Sequence, residues 1–168
     1  MESPLREFEY CIFGSHNGSN TVDAVRTASF EAMSILFKFL KVNWLKNSIL
    51  ITGANGGIGA SLVKSFREEG YVVIGTDLTS KKVECDFFIQ QDISLLINNE
   101  TMSDDFFSKI NDVADKHPLK GVINNAAIQI LGDIKTLDIN DMQTTFNINV
   151  LAPFMIVKKL YDKLVMNE

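Results

Sequence analysis

An excess of positive charge is the first thing this chain lacks: 16 Lys and Arg face 21 Asp and Glu, a net charge of -5 over 168 residues. No basic surface is available for a polyanion, so nucleic acid is not expected as a main partner. Cysteine is nearly absent as well. Cys11 and Cys85 lie far apart without metal-ligand spacing, so no metal site is expected; both read as small buried residues suited to a reducing cytoplasm. With only three prolines and 46% hydrophobic residues, the chain is not disordered throughout and can bury one ordinary core. No run of eighteen uncharged apolar residues occurs, and the first twenty residues include Glu2, Arg6, Glu7 and Glu9. Neither a membrane span nor an export leader is expected, and the location expected is cytoplasmic.

What is present is organised around Ser48 to Gly59, Ser-Ile-Leu-Ile-Thr-Gly-Ala-Asn-Gly-Gly-Ile-Gly. Ile49, Leu50 and Ile51 are apolar without alternation, as in a strand buried on both faces of a parallel sheet. Ile58, Leu62, Val63 and Phe66 then recur at helical spacing, and Gly70 stands where that helix would close. Between them the glycines have separate tasks. Gly53 permits a tight exit from the strand, Gly57 lets the backbone approach a pyrophosphate, and Gly59 lets the helix lie close. The first N–H groups of the helix would face the anion.

Further along, Tyr71 to Thr76 reads as a second strand ending at Asp77. A carboxylate there can accept hydrogen bonds from both hydroxyls of an adenosine ribose and would repel a 2′-phosphate, which argues for NAD over NADP. Phe87 to Gln90 reads as a third strand. Asp104 and Asp105 suit the start of a helix whose buried face is Phe106, Phe107, Ile110, Val113 and Ala114, and His117-Pro118 ends it. Gly121 to Ala127 reads as the fourth strand. A last helix from about Asn140 to Met166 carries Met142, Phe146, Val150, Phe154, Val157 and Tyr161 along one face. Pro153 has no N–H for the Asn149 carbonyl, so this helix must kink or hydrate there. The order of strands and helices implies a three-layer α/β fold, a Rossmann-type parallel sheet with helices on both faces, incomplete at its C-terminal side.

Thr52-Gly53-Ala54-Asn55-Gly56-Gly57-Ile58-Gly59 resembles the Thr-Gly-x-x-x-Gly-x-Gly fingerprint of the short-chain dehydrogenase/reductase family. Gln91-Asp92-Ile93 is similar to that family's adenine contact, which implies that Asp92 bonds the adenine amino group and Ile93 packs near the ring. Asn124 to Ala127 resembles its Asn-Asn-Ala-Gly motif, with Ala127 in the last place. The resemblance implies that Asn125, Ala126 and Ala127 line the ribose and nicotinamide side, while Asn124 is structural. Asn149 to Phe154 resembles the segment with the active-site asparagine, whose free carbonyl holds a water in a proton relay. Cofactor-binding residues are thus expected at Gly53, Asn55, Gly57, Ile58, Gly59, Asp77, Asp92, Ile93, Asn125, Ala126 and Ala127, with Asn149 as the catalytic candidate. The family's activity, hydride transfer between a nicotinamide cofactor and an alcohol or carbonyl substrate, is the function implied. A possible homo-oligomer is expected with it.

The same family takes its proton from the tyrosine of a Tyr-x-x-x-Lys motif, helped by a nearby serine. Here the residues four beyond Tyr10, Tyr71 and Tyr161 are Gly14, Gly75 and Val165, so the motif is absent and the chain alone is expected to be catalytically incomplete. Residues 1–43 form an appendage to the domain at 44–168: a short strand at 8–13, a polar turn, and a helix to about 41 capped by Asn20. Cys11 to Thr21 is similar to the closing part of D-isomer-specific 2-hydroxyacid dehydrogenases, which places an acid/base histidine at His16, although Ser15 stands where that family has proline. The alternatives are a non-catalytic nucleotide-binding module and a gene-junction fragment without independent function.

Overall fold

The computed structural model describes residues 46–164. The predicted strand at 8–13, the helix to 41, and Cys11, His16 and Trp44 lie outside the described residues.

Four strands form one parallel sheet in the order β3-β2-β1-β4: β1 at Ser48–Thr52, β2 at Val72–Asp77, β3 at Phe87–Gln90 and β4 at Leu119–Ile123. β1 is buried at every position, as its unbroken apolar run requires of a central strand. Helix α1 (Gly57–Glu68) joins β1 to β2, and a 3-10 turn (Ile93–Ile97) with helix α2 (Glu100–Ala114) joins β3 to β4. After β4 come α3 (Ile139–Phe146), a π turn (Asn147–Leu151), α4 (Ala152–Leu160) and a closing 3-10 turn (Tyr161–Lys163).

Alternation along the strands divides the core between two faces. Leu50, Val72, Ile74 and Leu119 share one cluster with Phe106 and Ile110 of α2 and with Ala152, Ile156 and Leu160 of α4. Ile49, Ile51 and Val73, of opposite parity, meet α1, which buries Leu62, Val63 and Phe66. The three-layer arrangement is therefore as expected.

Several expected details are corrected. Ile58 does not belong to the inner face of α1, being 44% exposed. Helix α2 starts before Asp104, at Glu100, because the Asn99 side chain accepts the Met102 N–H and caps it there. β4 stops at Ile123, the partner of Ile51; two residues on, β1 turns away at Gly53, so Asn124 to Ala127 have no strand to pair with. The last helix is not uniform: helical dihedrals continue from α3 into α4, but a π turn ending at Leu151, two residues before Pro153, interrupts them, and α4 ends at Leu160. Its buried face is Ala152, Ile156 and Leu160, whereas Met142, Phe146, Val150, Phe154, Val157 and Tyr161 are exposed among the described residues. Beyond it, Leu164 forms a parallel bridge to Leu119, so the outer edge of β4 has its first residue paired.

Candidate functional site

β1 leaves the sheet through Gly53, whose φ of +66° belongs to the region that side chains resist. A Cβ there would lie 2.9 Å from the Ala126 Cα. A Cβ on Gly59 would run into the Gly53 carbonyl oxygen, so the first turn of α1 can sit on the glycine turn only without one. Gly57 differs: no atom lies within 4 Å of where its Cβ would be. Nothing beyond its own turn of helix requires glycine there, and Gly57 lines the cleft that opens at this point. α1 starts at Gly57 with no side-chain cap and no acid in its first turn, which leaves its N–H groups and the positive end of its dipole available to an anion.

A cleft of about 470 Å³ opens at this point, at the C-terminal ends of the strands. Gly53, Gly57, Ile58 and Gly59 form one side, Asp77, Asp92 and Ile93 the second, and Asn125, Ala126 and Ala127 the third. Every predicted cofactor residue except Asn55 is thus brought together. Ligands of open parallel sheets take this position. A larger hollow of about 630 Å³ lies at the opposite ends of the strands, by Lys46, Lys64 and Arg67. Its guanidinium is already engaged, 2.8 Å from the Glu84 carbonyl and 3.5 Å from Asp86, so size alone does not mark it as a site.

The polar side chains around the cleft hold one another. Asp77 Oδ2 accepts the Asn55 N–H at 3.1 Å, and Oδ1 accepts the Thr79 N–H at 3.0 Å and hydroxyl at 2.9 Å. Partial burial pushes the Asp77 carboxyl up, but these hydrogen bonds outweigh it and hold the group below its ordinary value. Asp92 uses Oδ1 on the N–H and hydroxyl of Ser94, capping the 3-10 turn. Asn125 is a brace: its Nδ2 donates to the carbonyls of Thr52 at 3.0 Å and Gly53 at 3.2 Å. Asn124, expected to be structural, is exposed; the tie is made by its neighbour. Asn55, expected in the cofactor contact, turns its side chain to Thr79, Ser80, Lys82 and Val83 instead. Asn149 does not line the cleft. Its Oδ1 accepts the Ile128 N–H at 2.9 Å and its Nδ2 donates to the Ile128 carbonyl at 2.8 Å, and Ile128 is part of the lining.

The family model for short chain dehydrogenases matches residues 47–168. The chain belongs to the short-chain dehydrogenase family. Among curated members, it is 25% identical over 113 residues to the 3-amino-tetrahydro-pyrrolizinone reductase of Xenorhabdus hominickii, covering 67% of this chain and 40% of that protein. It is 28% identical over 130 residues to the 3-oxoacyl-[acyl-carrier-protein] reductase of Buchnera aphidicola, covering 74% and 52%. The chain thus spans about half the length of these short-chain dehydrogenases. Solved structures agree on the fold: 4-hydroxyisoleucine dehydrogenase complexed with NADH superposes with a TM-score of 0.59 at 24% identity over 70% of this chain and 49% of that one. A Brucella ovis oxidoreductase with a partially ordered NAD gives 0.61 at 21% identity over 70% and 57%.

Within this short-chain dehydrogenase, two roles escaped the sequence reading, which took Thr52 only as the first residue of the fingerprint and Thr76 only as part of a strand. The Thr52 hydroxyl accepts the N–H groups of Asn125 at 3.1 Å and Ala126 at 3.0 Å, which ties β1 to the opposite wall. Thr76, fully buried in the cleft lining, keeps its hydroxyl without a partner. A strand threonine carries no local signal for either role. Cys85 is buried, and burial pushes its thiol up, away from a reactive thiolate. Among the described residues no group of acids, histidines and cysteines could hold a metal, and no helix is long and apolar enough to cross a membrane.

Proposed function

We propose that this chain binds a nicotinamide adenine dinucleotide in the cleft, NAD in preference to NADP, as the cofactor-binding part of an oxidoreductase acting on a small alcohol or carbonyl substrate. The observation that carries it is the open space at Gly57 in front of an uncapped helix, in one cleft with Asp77. The pyrophosphate would take the Gly57 and Ile58 end of α1, where its charge meets unpaired N–H groups. Asp77 would receive the ribose hydroxyls and oppose a 2′-phosphate. Asp92, with Oδ1 engaged and Oδ2 left, and Ile93 would flank the adenine. Asn125 to Ala127 would line the nicotinamide side, held by Thr52.

The cofactor supplies the hydride when bound. This chain's own contribution is to bind and orient it: Asn149 fixes Ile128, and its carbonyl, denied an N–H by Pro153, is the proposed seat of a relay water. The 168 residues hold no Tyr-x-x-x-Lys, so binding without turnover is the reading for this chain by itself. Self-association belongs to the same proposal: Phe146, Val150, Phe154 and Tyr161 form an exposed apolar stripe that a second copy could cover.

Titration with NADH, followed by cofactor fluorescence, tests the binding. Gly57→Val should abolish it while unfolding in urea shifts by no more than about 1 kcal/mol, since a Cβ there meets no atom beyond its own turn of helix. Unchanged affinity in the variant would overturn the placement of the pyrophosphate.

A further inference from the structure

The segment between β2 and β3 has no regular structure from Leu78 to Asp86. Gln90 holds its start at the Leu78 carbonyl, and Arg67 with the Val73 N–H holds its end at Glu84 and Asp86. Between them, one side chain ties residues 79–83 to the glycine turn. Asn55 Nδ2 donates to the Thr79 hydroxyl and the Ser80 carbonyl, both at 2.9 Å, and to the Thr79 carbonyl at 3.3 Å. Its Oδ1 accepts the N–H of Lys82 at 2.9 Å and of Val83 at 3.3 Å. Both ends of the amide are therefore used in full, and none of it is offered to the cleft. The tie runs from the glycine turn, over the Asp77 carboxylate, to a segment more than twenty residues later in sequence.

Thr79 closes the circuit. Its hydroxyl accepts from Asn55 and donates to Asp77 Oδ1, while the Asn55 main-chain N–H donates to Asp77 Oδ2. Both carboxylate oxygens are thus seated by groups whose own positions depend on Asn55. We infer that Asn55 is a positioning residue for cofactor choice: it fixes the Asp77 carboxylate at the ribose end of the cleft by locking residues 79–83 to the glycine turn.

The electrostatics give this lock a direction. Residues 79–83 include Lys81 and Lys82, the cations nearest Asp77 in sequence, and the Lys81 ammonium is held on the Cys85 carbonyl at 3.1 Å. While the segment is locked, the fixed charge nearest the ribose is negative, and a 2′-phosphate is refused. Released, the carboxylate loses its seat and the two ammonium groups gain freedom to meet a phosphate. Selectivity between the two dinucleotides should fall even though Asp77 is untouched.

This inference rests on the reading of the cleft as a dinucleotide site, and the experiment separates the two. Dissociation constants for NADH and NADPH are measured on the 168-residue chain, on Asn55→Ala and on Thr79→Val. The ratio of the NADPH constant to the NADH constant is expected to fall about tenfold in Asn55→Ala, and by less in Thr79→Val. A brace with no part in selectivity would weaken both cofactors equally, so an unchanged ratio in both variants overturns the inference and leaves the dinucleotide reading standing. Should Asn55→Ala fail to fold, Thr79→Val, which keeps the side chain's shape, decides by itself. A wild-type chain that binds neither cofactor overturns the reading and the inference together.

Discussion

Thr52 shows how much of the site rests on single atoms. Its hydroxyl oxygen is the acceptor for two successive N–H groups, those of Asn125 and Ala126, at the point where β4 has run out of strand partners. Thr52→Val keeps the shape and removes the acceptor. It should cost about 1–3 kcal/mol in urea unfolding, the penalty of N–H groups left without an acceptor, and weaken NADH binding as the 125–127 wall loosens. Asp77 makes a prediction in pH. Its hydrogen bonds outweigh the opposing burial, so it binds its proton in the folded chain at lower pH than in the unfolded chain, below the ordinary 3.8. Its stabilising contribution is therefore complete above that value and is lost as pH falls through the folded-state value. The stability difference between wild type and Asp77→Asn should be flat from about pH 5 to about pH 8 and should shrink below about pH 4. These two residues differ in legibility. Asp77 was readable because a carboxylate at a strand tip has a local purpose; the bracing roles of Thr52 and Asn55 were not, because their partners lie 74 and 25 positions away respectively.

At the level of elements, strand and helix identities followed from periodicity, and their lengths did not. β3 has the expected bounds. β4 is shorter than its apolar run suggests because a strand is as long as its neighbour allows, and β1 ends one residue before Gly53. The final helix carried two apolar faces, and periodicity gave no means of choosing between them. The structure buries the narrower set, Ala152, Ile156 and Leu160, against the sheet, and leaves the broader stripe outside. That stripe can be tested directly. Phe154, 65% exposed, should tolerate Phe154→Ser with little loss of stability, since it fills no core. Sedimentation velocity should then show the variant shifted toward monomer relative to the wild-type chain at equal concentration. Identical sedimentation would remove this stripe as the interface.

For the molecule as a whole, the decisive feature is how far apart in sequence the cleft's walls lie. The glycine turn and the Asn125 wall are linked by hydrogen bonds spanning 72 to 74 residues, and every strand pair in the sheet is parallel. No short hairpin can assemble this arrangement first, because each pairing waits on a long loop to close. Competence to bind must therefore arrive late in time, after β1 has found β4, and the folding transition state should not yet contain the cleft. A ligand that recognises only the finished cleft cannot hasten its construction; it can only delay its loss. Saturating NADH is expected to leave the refolding rate in stopped-flow experiments unchanged and to slow unfolding, with the whole of its stabilisation in the second rate.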